Sequence, residues 1–139
     1  MAPKRRRYAE GTTVDVSKSR IEIETLLVRG GATQLVVGFD VQSRGFVHFT
    51  LDGRQYRILL PQRPAKRNAA QVDRENWRTL VLFIKGKLEA IASELVTAEQ
   101  ELLSFLVLPN GKTLGAEIAP RIAEIYDSGT MVPLLPEGA

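Results

Sequence analysis

Residues 33–60 read TQLVVGFDVQSRGFVHFTLDGRQYRILL, and the period of that stretch decides the fold. Over 33–41, Leu35, Val37, Phe39 and Val41 alternate with Gln34, Gly38 and Asp40. Over 46–51, Val47, Phe49 and Leu51 alternate with Phe46, His48 and Thr50. Over 55–60, Tyr56, Ile58 and Leu60 stand opposite Gln55 and Arg57. Such alternation predicts strands with one buried and one wet face. Gln42-Ser43-Arg44-Gly45 is the first turn. Asp52-Gly53 is the second, because both central residues of a type I′ turn need positive φ and this pair tolerates it. Pro61 ends the third strand. The stretch is an antiparallel meander of three strands.

Working outward, Ser19-Arg20-Ile21-Glu22 predicts a capping box that opens a helix, with Ile23, Leu26 and Leu27 on its apolar face and Gly30-Gly31 as its stop. After the meander, residues 61–73 form a polar, basic loop. Trp77, Val81, Ile84, Leu88, Ile91, Leu95, Ala98, Leu102 and Phe105 then recur at spacings of four and three, a helix with one apolar stripe. Thr97-Ala98-Glu99-Gln100 is a second capping box and predicts a break or kink there. Leu106-Val107-Leu108, Pro109-Asn110-Gly111 and Lys112-Thr113-Leu114 predict a small hairpin. A last helix carries Ile118, Ile122, Ile125 and Tyr126 on one face, with Pro120 expected in its first turn. The fold class is therefore α+β in two layers: helix, three-stranded antiparallel meander and long helix, plus a C-terminal small hairpin and helix. The long helix should bury Trp77, Val81, Ile84 and Leu88 against the strands. Residues 1–16 read as a flexible basic arm and 17–139 as a single α+β domain.

Composition narrows the function classes. The chain has 139 residues, 44% of them hydrophobic, enough for one self-sufficient core. It has no cysteine, which excludes disulfides, cysteine metal sites and thiol catalysis. No apolar run approaches the roughly 18–20 residues of a spanning helix. No apolar segment follows the basic N-terminus, so it is not a secretory signal. The reading is a soluble protein of the cytoplasm, without a membrane partner.

Charge divides the chain. Residues 1–74 hold 14 Lys/Arg against 7 Asp/Glu, and residues 75–139 hold 5 against 9. The excess sits in Lys4, Arg5, Arg6 and Arg7, and in Arg63, Lys66 and Arg67 of the proline-flanked loop. Arg44, Arg54 and Arg57, near the two hairpin turns, extend the set. Clusters of this kind attract phosphates, so these ten residues are the candidate nucleic-acid-binding set, for DNA or RNA. Their bland reading is a solvated surface. The alternative function is a protein-interaction module, modulating a host factor through the acidic helical half: Glu89, Glu94, Glu99, Glu101, Glu117, Glu124 and Asp127.

Phe46, His48 and Tyr56 could serve as stacking platforms on the open sheet face. Strand propensity favours the core for Phe46 and Tyr56 instead. His48 is the only histidine, and no nucleophile or carboxylate stands at motif spacing around it. No catalytic constellation, metal site or cofactor is expected. The long stripe through Leu95, Leu102 and Phe105 is also the pattern of a homodimer seam.

Tyr8-Ala9-Glu10-Gly11-Thr12, Ser19-Arg20 with Glu22-Ile23-Glu24, Gly31-Ala32-Thr33-Gln34, Trp77-Arg78, Ile84-Lys85 with Lys87-Leu88-Glu89-Ala90, and Leu108-Pro109-Asn110-Gly111 with Thr113 together carry a resemblance. On these stretches the chain resembles a family of uncharacterised bacteriophage and prophage proteins. The resemblance implies a phage origin and a bacterial host cytoplasm, and no named activity. In element order alone the chain is also similar to double-stranded RNA-binding domains and to the strand-annealing proteins that phages use.

Overall fold

The computed structural model describes residues 5–62 and 67–135. Helix α1 (Val16–Arg29) leads into strands β1 (Thr33–Phe39), β2 (Gly45–Leu51) and β3 (Arg54–Leu59). Helix α2 (Ala69–Ala92), the short helix α3 (Ala98–Glu101), a 3-10 turn (Leu103–Phe105) and helix α4 (Leu114–Ser128) follow. The strands form one antiparallel sheet in the order β1-β2-β3. The α+β architecture expected from the sequence is the one observed.

The period-two pattern of 33–60 builds the core. Val47, Phe49, Leu51, Tyr56 and Ile58 pack from one sheet face against Ile23 and Leu27 of α1 and Trp77, Val81 and Ile84 of α2. Leu88 is only partly buried at the margin of this cluster. Asp52 and Gly53 take φ of 51° and 77°, the geometry that a type I′ turn demands. At the other hairpin, Asp40 Oδ1 accepts from the amides of Gln42 and Arg44, each at 2.9 Å. That side-chain capture bends the chain before Val41, which therefore lies fully exposed in the turn rather than on the buried face of β1. A bulge near Gln34, whose φ is 51°, re-aims β1 so that Leu35 and Val37 still reach the core. Arg20 of α1 donates to the Val37 carbonyl at 2.7 Å and so covers part of the outer edge of β1.

Several local expectations are corrected. Helix α1 starts at Val16 with Asp15 at its N-cap, so the Ser19–Glu22 capping box does not form. Val16 packs on the core, and the added turn gains that burial. Ser19 is instead fully buried inside the helix, and Glu22 pairs with Arg78 at 2.8 Å. Pro120 lies in the second turn of α4, not the first, because Thr113 caps that helix earlier than expected, accepting from the Ala116 amide at 3.3 Å. Phe46 is on the sheet face opposite the core, whereas Tyr56 is inside it.

The break in the long stripe is real. Helix α2 stops at Ala92, and Leu95 is exposed. At the second capping box the Gln100 amide donates to Thr97 Oγ1 at 3.1 Å, and the Thr97 amide donates to Gln100 Oε1 at 2.9 Å. Thr97→Ala should therefore cost about 1 kcal/mol in urea denaturation with an unchanged m-value. An unshifted midpoint would mean that Leu102 and Ala98, buried beside it, hold α3 without the cap. The C-terminal hairpin is reduced to one bridge between Val107 and Thr113, and Leu106 bridges to Tyr56 of β3.

Candidate nucleic-acid interface

The first turns of α2 carry a polar row beside their apolar face. Asn68 caps the helix, its Oδ1 accepting from the Gln71 amide at 3.2 Å. From there a helical period of three to four brings Gln71, Arg74, Glu75 and Arg78 onto one side, with Arg67 just ahead of them. Glu75 is the centre. It is almost fully buried, yet it is a carboxylate, so its charge demands partners.

Those partners come from three parts of the chain. Arg67 grips both oxygens, Nη1 to Oε1 at 3.0 Å and Nη2 to Oε2 at 3.2 Å. Arg7 Nη2 donates to Oε1 at 3.2 Å, and the Gly11 amide donates to Oε2 at 3.1 Å. Gln71 Nε2 donates to Oε2 and to the Thr12 carbonyl, each at 3.1 Å. Arg74 then closes on Gln71 Oε1 with Nη2 at 2.6 Å. The Arg67 hydrogen bond, seconded by Gln71 and the Gly11 amide, holds the Glu75 carboxyl down to about 2. It stays ionised, and it fixes two guanidinium groups whose side chains remain 55% and 40% exposed.

The segment after Arg7 is therefore seated on the body of the fold. Ala9 is buried, and Arg6, Tyr8, Gly11, Thr12 and Arg78 line a shallow concavity of about 540 Å³. Arg6 is exposed at its rim, 4.0 Å from Glu10, and Arg5 before it is exposed.

The ten candidate residues separate in space. Lys4, Arg63 and Lys66 lie outside the described residues. Arg7 and Arg67 share the surface at the start of α2, Arg6 lies in the concavity beside it, and Arg5 is exposed next in sequence. Arg44 lies apart from them, its Nε donating to the Leu60 carbonyl, in a cleft that it shares with Gln62, Asp73 and Asn76. Arg54 sits at the opposite end of the sheet, 2.8 Å from Glu99. Arg57 donates to the Gly111 carbonyl at 2.6 Å, on the sheet face away from the helices. Of the acidic residues, Glu101 pairs with Lys87 at 2.8 Å, Glu117 with Lys112 at 3.7 Å and Glu124 with Arg121 at 3.9 Å.

Sequence reasoning did not single out Glu75, Gln71, Arg74 or Arg78 as site residues. No local sign marked Glu75: it stands two positions before Trp77, about 200° round α2 from the stripe that packs on the sheet, and it is buried by the segment that returns from the N-terminus. Among the described residues no group of three or more His, Asp or Glu is placed to hold a metal ion, and no helix is long and apolar enough to cross a membrane. No protein-family model, curated protein or solved structure matches the chain, so its site is read from its own geometry.

Proposed function

We propose that this protein binds nucleic acid, without catalysis, through the basic surface at the start of α2, in phage replication, recombination or regulation. The observation that carries this reading is the convergence of Arg7 and Arg67 on Glu75. One arginine from each of the two basic runs, sixty positions apart in sequence, meets there. A fixed guanidinium pair presents its remaining donors to a phosphate with less conformational entropy to lose than two free side chains. Arg5, Arg6 and Arg74 extend the footprint, and the Thr12 side chain lies in the concavity beside them.

Labelled DNA and RNA, single- and double-stranded, should bind at about 50 mM salt and weaken steeply toward 200 mM, because each neutralised phosphate releases counterions. Arg5 and Arg6 are exposed and hold no buried partner, so the double variant Arg5→Ala/Arg6→Ala should fold normally. It should flatten the salt slope by about two phosphate contacts if both charges engage. No binding of any form at low salt would overturn the reading. It would favour the alternative of a protein partner, for which α4 is the observation: none of its residues is buried, and Ile122 and Tyr126 are exposed beside Glu124 and Asp127.

A further inference from the structure

We infer that the sheet face turned away from the helices is a base-stacking platform for single-stranded nucleic acid. This rests on the nucleic-acid reading above and adds a second, chemically different surface to it. The alternation that sends Val47, Phe49, Tyr56 and Ile58 inward sends Phe46, His48, Thr50, Gln55, Arg57 and Leu59 outward. None of these outward residues is buried. Val36 is 53% exposed and Leu59 42%. Phe46 pairs across the ladder with Gly38 on one side and Leu59 on the other. A Cβ at Gly38 would lie 3.9 Å from the Phe46 ring, so the ring lies along bare backbone there. His48 stands next along β2, between Val36 and Arg57.

The chemistry of the face selects the occupant. Its strand positions carry an aromatic ring, an imidazole and a guanidinium, and no carboxylate. Asp40, at the end of β1, turns its Oδ1 into its own turn. Arg57 is held by the Gly111 carbonyl and keeps other N–H donors free for an anion. Flat apolar groups flanked by cationic ones suit unstacked bases joined by phosphates. A duplex keeps its base faces inside its own stack and cannot use them. Placement supports the same occupant. Phe46 follows Gly45 and Arg44, at the end of the sheet where Leu60, Asp73 and Asn76 meet. Arg44 there adds a cation at the end of the face next to Phe46.

Fluorescence anisotropy with three probes of equal length tests this: oligothymidylate, an abasic strand and a duplex. The wild type should bind oligothymidylate about 5- to 150-fold more tightly than the abasic strand, for each base that stacks. Phe46→Leu keeps apolar volume but loses the ring. It should remove most of that advantage and leave abasic and duplex affinities unchanged. Phe46→Tyr should retain it. Equal wild-type affinity for the thymidine and abasic strands would overturn the platform while leaving the basic surface standing. So would a Phe46→Leu loss shared by all three probes. No affinity for any probe removes both. Self-association that Phe46→Leu abolishes, with unchanged binding of all probes, assigns the face to a second copy of the chain and overturns the inference.

Discussion

Trp77→Ala is expected to destabilise the protein by about 3–5 kcal/mol, the range for removing a large aromatic from a packed core. Trp77 is fully buried, the largest such side chain in the core. Phe39 meets it edge-on with ring centroids 5.7 Å apart, and the Arg20 guanidinium lies 5.9 Å from its ring. Gly45 is what lets the indole approach the sheet: a Cβ there would come within 2.8 Å of Trp77 Cζ2 and 2.6 Å of Leu60 Cδ1. The substitution thus removes the joint between α2, β1 and the start of β2. Trp77→Phe should cost less, because the buried indole Nε1 has no hydrogen-bond partner among the described residues and its loss leaves nothing unpaired. Urea denaturation of both variants checks the order. A stable Trp77→Ala protein that had lost nucleic-acid binding would place the indole in the binding surface and overturn its role as core.

Glu75→Ala should come next, at about 1.5–3 kcal/mol, the range for hydrogen bonds to a charged group. Partial exposure of both arginines keeps the figure well below that of a fully buried ion pair. The same carboxylate gives a pH signature. Its folded value is about 2, against an ordinary 4.5. A folded carboxyl that holds its proton less tightly than the unfolded one stabilises the fold above the unfolded value. That contribution disappears as pH falls toward the folded one. Wild-type stability should therefore drop between about pH 5 and pH 2 more steeply than that of Glu75→Ala, and the two curves should approach each other at the acid end. Parallel curves would show that Arg7, Arg67 and the Gly11 amide contribute no net stability through Glu75.

The sheet was legible because its determinants are local. Val47, Phe49 and Leu51 declare their face by alternation, and Asp52-Gly53 declares its turn by backbone chemistry. Thr97 and Gln100 are three residues apart, so their capping box can be read directly. Ser19 misled for the same reason: its box is a valid local motif, but Val16 found core to pack on and the helix grew past it. Phe46 shows a conflict between two rules. Propensity favoured the core, whereas period two placed it opposite Val47, and the alternation decided. The candidate site was legible only as a charge excess. Which arginines converge depends on Glu75, whose partners lie up to 68 positions away, and no pattern within a helix turn announces such a meeting. Arg54 and Arg57 share that charge but stand at other places in the fold, because register, not composition, assigns them.

The Glu75 contacts also order events in time. The hydrogen bond from the Gly11 amide closes a loop of 64 positions, whereas the Asp52-Gly53 turn joins adjacent strands. Loop closure costs more entropy as the loop lengthens, so the hairpin should form early and the N-terminal segment dock late. In the native protein the sequence reverses. The Gly11 amide, held by a single carboxylate, should exchange its hydrogen with solvent through a local opening that leaves the sheet intact. Val47 and Phe49, inside the β2 ladder, should exchange only when the whole domain unfolds. Raising the pH from 3 to 7 should deepen the protection of the Gly11 amide, because its local opening breaks the bond to Glu75, and that of Val47 and Phe49 with it, because global unfolding breaks the same bond.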